Sequence, residues 1–269
     1  MLDPRAVAVE ANLSAFMDLV SRDPLFTRRD HDDALVFTCD LDFPLFNVAC
    51  DAAFAPGRLA RRTAEIADEL IAHGRSWRWG AGPGSLPHEP TLLERGLERG
   101  DAPGMHVALT EPLATPDDIR VGVIGTDRLD VFLDVFAAGF EMPEFVIGPF
   151  GEVIARTGGD WFVNVVAWDG PEPVGCGTLV HTGRTAGLYN IATLRASRGR
   201  GVGGAVTAAL MNLGLARGCT EAVLTATPLG QPVYERLGFV EVCPVIAYGW
   251  TPGANIVDPR HQTAPGATN

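Results

Sequence analysis

The sequence predicts a mixed α/β fold, an α+β arrangement in which an antiparallel meander feeds a parallel pair of strands. Three observations carry this reading. Apolar runs at 162–168, 174–180 and 186–192 are separated only by the turns DGPEP and HTGRT, the spacing of consecutive hairpins. A glycine-rich segment, Arg198 to Gly204 (RGRGVGG), then opens an apolar helix over 202–217 and leads to a strand at 222–226. A helix between strands is the usual means of making a parallel crossover. Hydrophobic residues supply 46% of the 269 positions and charged residues 20%, enough for one large core or two ordinary ones.

The elements follow in order. Helical spacing of Val9, Leu13, Phe16, Met17 and Val20 predicts a helix over 6–20, ended by Asp23-Pro24. Short strands are expected at 34–39 and 44–50. Pro56 suits the first turn of a helix running to about His73, with Leu59, Ile66, Leu70 and Ile71 on its apolar side. Trp77-Arg78-Trp79 reads as a brief strand before the breaker-rich AGPGSLP. A charged amphipathic helix is expected over 89–99, stopped by Gly100, and a strand at 105–109. The stretch 113–118, flanked and interrupted by Pro112 and Pro116, reads as a linker.

A second series begins with a strand at 121–124. Leu129, Phe132, Leu133, Phe136 and Phe140 mark a helix over 129–140, and a second helix spans 145–156, where Gly148-Pro149 is expected to kink or split it. After the meander, the glycine turn and the strand at 222–226 come a short helix over 231–237 and a strand over 239–247. The resulting divisions are 1–112, 113–250 and a flexible Gly-, Pro-, Thr- and Asn-rich tail at 251–269.

Composition excludes several classes of function. The net charge of −12 lies entirely in residues 1–150, which hold 13 Arg and 25 acidic groups, whereas residues 151–269 hold 8 of each. No lysine is present. Nucleic acid is therefore not the expected partner, since phosphate contacts need a basic surface. An acidic half can attract a cationic substrate, although acidity also simply keeps a protein soluble. No apolar run reaches the length of a membrane span and the opening MLDPRAVAVE has no signal-peptide pattern. Cys39, Cys50, Cys176, Cys219 and Cys243 are scattered without ligand spacing. They read as buried free thiols in a reducing compartment, the cytoplasm, with no metal site expected.

The chemistry-bearing residues cluster late. RGRGVGG contains G-x-G-x-x-G at Gly199, Gly201 and Gly204, but a dinucleotide turn follows the first strand of its domain directly, and here three antiparallel strands precede it. A phosphate loop of the Gly-Lys-Ser/Thr type is impossible without lysine. What remains is a helix N-terminus with exposed backbone N–H groups, suited to an anion, or a glycine-rich cap used for close packing. Thirty residues on, YERLGF (Tyr234 to Phe239) presents a phenol with an ordinary pKa of about 10, either a proton donor or a core tyrosine satisfied locally.

Arg198-x-x-Gly201-x-Gly203 and Tyr234-x-x-x-Gly238-Phe239 resemble the signatures of the GNAT acyltransferase superfamily, and the resemblance extends over about 116–250. It implies a GNAT-like fold that binds acetyl-coenzyme A as co-substrate. Arg198, Gly199, Arg200, Gly201, Val202, Gly203 and Gly204 would cradle the pyrophosphate, while Ile191, Ala192 and Thr193 would pair with the pantetheine arm. Tyr234 would protonate the departing thiolate. Thr227 stands where the family often has Asn, seven residues before the tyrosine. The first half resembles a degenerate GNAT-like domain of a tandem protein, without a cofactor motif of its own; Trp77 and Trp79 read as acceptor-pocket or inter-domain residues. The implied reaction is N-acetyl transfer to a primary amine, small-molecule or peptide, with the acidic half tilting the choice toward cationic amines; neither nucleic acid nor membrane is expected as a partner, and a homodimer is common in such proteins. The other reading is an acyl-coenzyme A-binding sensor or scaffold. No base is identified: Asp169, Glu172, Glu221 and His181 lie at strand edges.

Overall fold

The computed structural model describes residues 3–253 except 32, 81, 117 and 160. The first half runs α1 (Pro4–Val20), β1 (Thr27–His31), β2 (Ala34–Thr38), β3 (Val48–Cys50), α2 (Leu59–His73), β4 (Trp77–Trp79), α3 (Glu89–Leu93) and β5 (Glu98–Ala108). The second runs β6 (Arg120–Ile124), α4 (Leu129–Phe140), α5 (Glu144–Thr157), β7 (Phe162–Asp169), β8 (Glu172–Thr182), β9 (Thr185–Thr193), α6 (Val202–Ala216), β10 (Glu221–Thr225), α7 (Gln231–Arg236) and β11 (Val240–Trp250).

All eleven strands join one sheet in the order β1-β2-β3-β4-β11-β5-β10-β9-β8-β7-β6. Read inward from either edge the sheet has the same grammar. An antiparallel meander reaches β3 or β9, which pairs in parallel with β4 or β10. Each parallel partner then meets the last strand of the opposite half: β4 pairs antiparallel with β11, and β10 with β5. β5 and β11 pair with each other from Glu98↔Gly249 to His106↔Val240 and so join the two halves.

Period-two alternation along these strands sends side chains to two layers. On one face α6 and α7 pack over Met105, Leu188, Ala222 and Leu224, and α2 packs over Trp77, Trp79, Ile246 and Tyr248. The opposite face carries α1 over Val223, Cys243 and Val245, and α4 with α5 over Phe162, Val166 and Val180. α1 starts on an Asp3 N-cap, whose carboxylate accepts from the Arg5 backbone N–H at 2.9 Å, with Pro4 in the first turn. It lies beneath the centre of the sheet, across strands from both halves.

Three expectations need correction. The helix expected over 89–99 ends at Leu93: Gly96 takes φ 76°, the Leu97 N–H returns to Leu92 O, and Glu98 onward is strand. Pairing with β11 overrides the local helical propensity of this charged segment. The strand expected at 44–50 begins only at Val48, because Asn47 spends its side chain on Cys39 N, Leu41 O and Ser76 O and holds a loop. The charged sequence TRRDH forms β1, which the apolar pattern could not show; edge strands tolerate charge. α5 is continuous through Pro149, and Phe145, whose carbonyl loses its donor there, is 53% exposed. The tail expected at 251–269 lies outside the described residues from 254 onward.

Candidate active site

β9 and β10 are parallel neighbours for only three residues each, Thr185–Gly187 against Glu221–Val223. Beyond Gly187 the ladder stops and the strands diverge. The cause lies partly in β9 itself. Thr178 of β8 pairs with Tyr189, and Cys176 with Ala192, so Asn190 and Ile191 together oppose Gly177. This is a β-bulge, which bends its strand and re-aims backbone groups. Asn190 sits at φ 53°, a left-handed conformation that asparagine tolerates better than most residues. Its side chain is fixed by donation to Thr178 Oγ1 at 3.1 Å, and Thr178 in turn donates to Asn164 Oδ1 at 2.8 Å. Gly177 has no room for a side chain: a Cβ there would lie 2.7 Å from Val206 and 2.9 Å from Leu210 of α6.

A cavity of about 790 Å³ fills the opening between the diverging strands, within the range of small-ligand sites. Ile191, Ala192 and Thr193 form its β9 wall. At its far end stands the turn into α6, where Gly199 and Gly201 take φ 76° and 82°. The first helical bond runs from Ala205 N–H to Gly201 O, so the backbone N–H groups of Val202, Gly203 and Gly204 precede the helix ladder. No atom lies within 4 Å of a Cβ built on Gly199 or Gly201. The open space and the helix dipole together suit an anion.

Arg198, Gly199, Gly201, Val202, Gly203, Gly204, Thr227 and Tyr234 all line this cavity. Arg200 does not. Its guanidinium pairs with Asp169 at 2.7 Å, in the β7–β8 turn, which draws the side chain away from the wall. The Arg198 guanidinium donates to Thr193 O and Gly139 O, both at 3.4 Å, bracing the turn against β9 and the end of α4. The Thr227 hydroxyl accepts from Gly230 N–H at 3.1 Å and closes the turn into α7.

Tyr234 is 8% exposed, with its ring edge-on to Phe239 and against Gly230, where a Cβ would lie 3.2 Å from the hydroxyl. Its hydroxyl has no hydrogen-bond partner among the described residues, unlike a locally satisfied core tyrosine. Burial pushes its pKa up to about 12, not the ordinary value expected from the sequence. A neutral phenol therefore faces the cavity at any physiological pH.

None of the acids and bases considered from the sequence lines the cavity. Glu221 accepts from Thr185 Oγ1 and meets His106 Nε2 at 2.9 Å, at the closed end of the β9–β10 pair. His181 Nε2 bonds Gly183 O in a hairpin turn, and Glu172 is exposed. The carboxylate on the cavity wall is Glu141, in a left-handed conformation (φ 54°) just past α4. Sequence reasoning missed it because it reads as an ordinary helix end; its place just before Met142-Pro143 was the available signal. The bulge was also missed, although an asparagine inside an apolar strand run hinted at it.

The first half also contributes. Tyr189, on the cavity wall beside the bulge, is half-buried, and its hydroxyl donates to Asn12 Oδ1 of α1 at 2.6 Å. Trp77 and Trp79 lie instead in the α2-side core, away from this cavity.

Residues 160–241 match the family model described as an acetyltransferase (GNAT) domain. Solved structures share the architecture of nearly the whole chain. A GCN5-related N-acetyltransferase from Kribbella flavida is 18% identical with a TM-score of 0.69, covering 92% of this chain and 96% of that one. One from Sphaerobacter thermophilus is 15% identical with a TM-score of 0.60, covering 93% and 96%. A tandem GNAT protein from the clavulanic acid biosynthesis pathway is 14% identical with a TM-score of 0.58, covering 91% and 96%. No match is found among curated protein sequences. The fold is that of these GCN5-related N-acetyltransferase structures, and the match to the acetyltransferase (GNAT) domain falls on residues 160–241, which contain the splayed β9–β10 pair and the glycine-rich start of α6. Among the described residues no helix is long and apolar enough to cross a membrane, and no cluster of metal-ligating side chains occurs.

Proposed function

We propose that this chain moves an acetyl group from acetyl-coenzyme A to a primary amine by direct attack. The observation that carries the proposal is the opening between β9 and β10, with an anion-ready glycine turn at one end and the Asn190 bulge with Tyr234 at the other. The diphosphate would rest on the N–H groups at 201–204, and the amide-bearing arm along Ile191–Thr193, whose ladder partner on the β10 side is missing. A backbone N–H at the bulge would polarise the thioester oxygen as the amine nitrogen attacks its carbon. The C–S bond then breaks and the thiolate leaves beside Tyr234.

A thiol with a pKa of about 8.5 is a stronger acid than this phenol. Tyr234 thus serves the leaving sulfur chiefly as a hydrogen-bond donor; the neutral amine attacks, and the proton its nitrogen sheds after the C–N bond forms balances the thiolate. Glu141 gives the cavity wall a negative group to hold a cationic amine. Tandem organisation, with a degenerate GNAT-like half over 1–112 and the transferase over 113–250, is part of the reading and is supported by the two-way grammar of the sheet. Five buried free thiols suit a reducing compartment such as the cytoplasm. The test is free-thiol release from acetyl-coenzyme A across a panel of amines. Thioester hydrolysis that no amine stimulates would replace transfer with acyl-coenzyme A sensing.

A further inference from the structure

The bulge that gives the cavity its shape is held from two sides. The second-half side is the Asn190–Thr178–Asn164 chain of hydrogen bonds. The other comes from α1, which belongs to the opposite end of the sequence. Asn12 is 1% exposed, and its amide is fully committed. Its Oδ1 accepts from the Tyr189 hydroxyl at 2.6 Å, and its Nδ2 donates to Thr182 Oγ1 at 2.6 Å and to Val180 O at 3.2 Å. One side chain therefore ties β8 to β9 on the residue preceding the bulge. Gly187 makes way for it: a Cβ there would lie 1.8 Å from Asn12 Oδ1. One turn further along α1, the Phe16 ring packs at a tilt against the Tyr189 ring, with centroids 4.8 Å apart.

We propose that Asn12 is a positioning residue of the acetyl-transfer site. It fixes the Tyr189 ring as a cavity wall and so holds the Asn190–Ile191 backbone in the bulged conformation. The proposal rests on the acetyltransferase reading and gives the first half a role in catalysis without a cofactor site of its own. A buried amide with three committed partners is a costly feature in an apolar layer. Simple adhesion between α1 and the sheet would be served as well by the apolar packing of Val9, Leu13 and Met17. The hydrogen bonds instead set a direction for Tyr189, and burial drives that phenol's pKa upward, so it remains a donor at every accessible pH.

The experiment compares Asn12→Ala with Val9→Ala, which weakens the docking of the same helix without touching the amide. In ligand-free protein, Cα and Cβ chemical shifts of Asn190 report its left-handed conformation. Asn12→Ala is expected to move them out of that range, and Val9→Ala is expected to leave them in place. With spermidine as the probe amine, Asn12→Ala should lower kcat for thiol release on the order of 10- to 100-fold. Its calorimetric affinity for acetyl-coenzyme A should stay within about threefold, because the glycine turn is untouched. Tyr189→Phe should cost a similar factor, and the double variant no more than either alone. Asn190 shifts unchanged in Asn12→Ala, or changed equally in Val9→Ala, would overturn the proposal. Wild-type protein that binds no acetyl-coenzyme A, yet loses the Asn190 signature in Asn12→Ala, would overturn the functional reading and leave the positioning role standing.

Discussion

Replacing Gly201 tests the anion cradle most directly. Gly201 caps α6 with φ 82°, and a Cβ added there meets no atom within 4 Å. A substitution is therefore opposed by the backbone conformation and not by crowding. Placing an L-residue in the left-handed region costs about 1–2 kcal/mol, more for a β-branched side chain. Gly201→Val also pushes two methyl groups into the space where phosphate oxygens would approach the N–H groups. Charge-assisted hydrogen bonds are worth about 1.5–3 kcal/mol each. Losing two of them would weaken binding by about 3–6 kcal/mol, or roughly 100-fold or more in Kd. Titration calorimetry with acetyl-coenzyme A is the assay. S-acetylpantetheine, which lacks the diphosphate, supplies the control and should lose less than about threefold. Thermal unfolding would show the separate folding penalty of the strained cap. Undiminished affinity for acetyl-coenzyme A, or an equal loss for both ligands, would refute the cradle.

The remaining expectations are narrower. Tyr234→Phe should lower turnover by about 10- to 100-fold with cofactor affinity little changed, as steady-state kinetics against calorimetry would show; unaltered kcat removes the donor role. It should also stabilise the protein above pH 10. The folded phenol ionises near pH 12 and the unfolded one near 10, so stability falls as pH rises between them in the wild type. Arg200→Ala should change acetyl-coenzyme A affinity by less than about threefold, because the side chain is paired with Asp169 at the surface; a larger loss would return Arg200 to the site. His88, buried and bonded through Nδ1 to Thr63 Oγ1 at 2.7 Å, has its pKa pushed down to about 4 by burial. The unfolded state binds a proton first as pH falls from about 6.5 to 4, so stability should drop across that window. His88→Gln should flatten the drop in urea titrations.

Local chemistry made the glycine turn legible, since Gly199, Gly201 and Gly203 mark a backbone that must bend and approach a ligand. The meander was legible because apolar runs and turn residues repeat at hairpin spacing. Other features depended on distant partners. Glu98 and Arg99 look helical by charge spacing and become strand only because β11 lies beside them. Asn190 could be recognised as a bulge only once Gly177 had been placed opposite. Arg200 and Arg198 are alike in sequence, and only the turn carrying Asp169 tells them apart. Asn12 lies 177 residues from Tyr189, a separation no local pattern spans.

The exchange of terminal strands explains why such distant residues meet. β5 precedes the linker yet supplies the outer neighbour of β10, and β11 ends the second half yet supplies the outer neighbour of β4. Each half thus completes the other's sheet at the flank of its parallel pair, where the strands part. Removing β5 would expose the whole free edge of β10, and the β5–β11 ladder that spans the junction would be lost as well. α1 adds a second bond between halves on the face opposite α6, reaching Val223 of β10 and Tyr189 of β9 from below. The splayed strands are therefore clamped by pieces of both halves. One continuous sheet, built from strands of both halves, flanks the cavity.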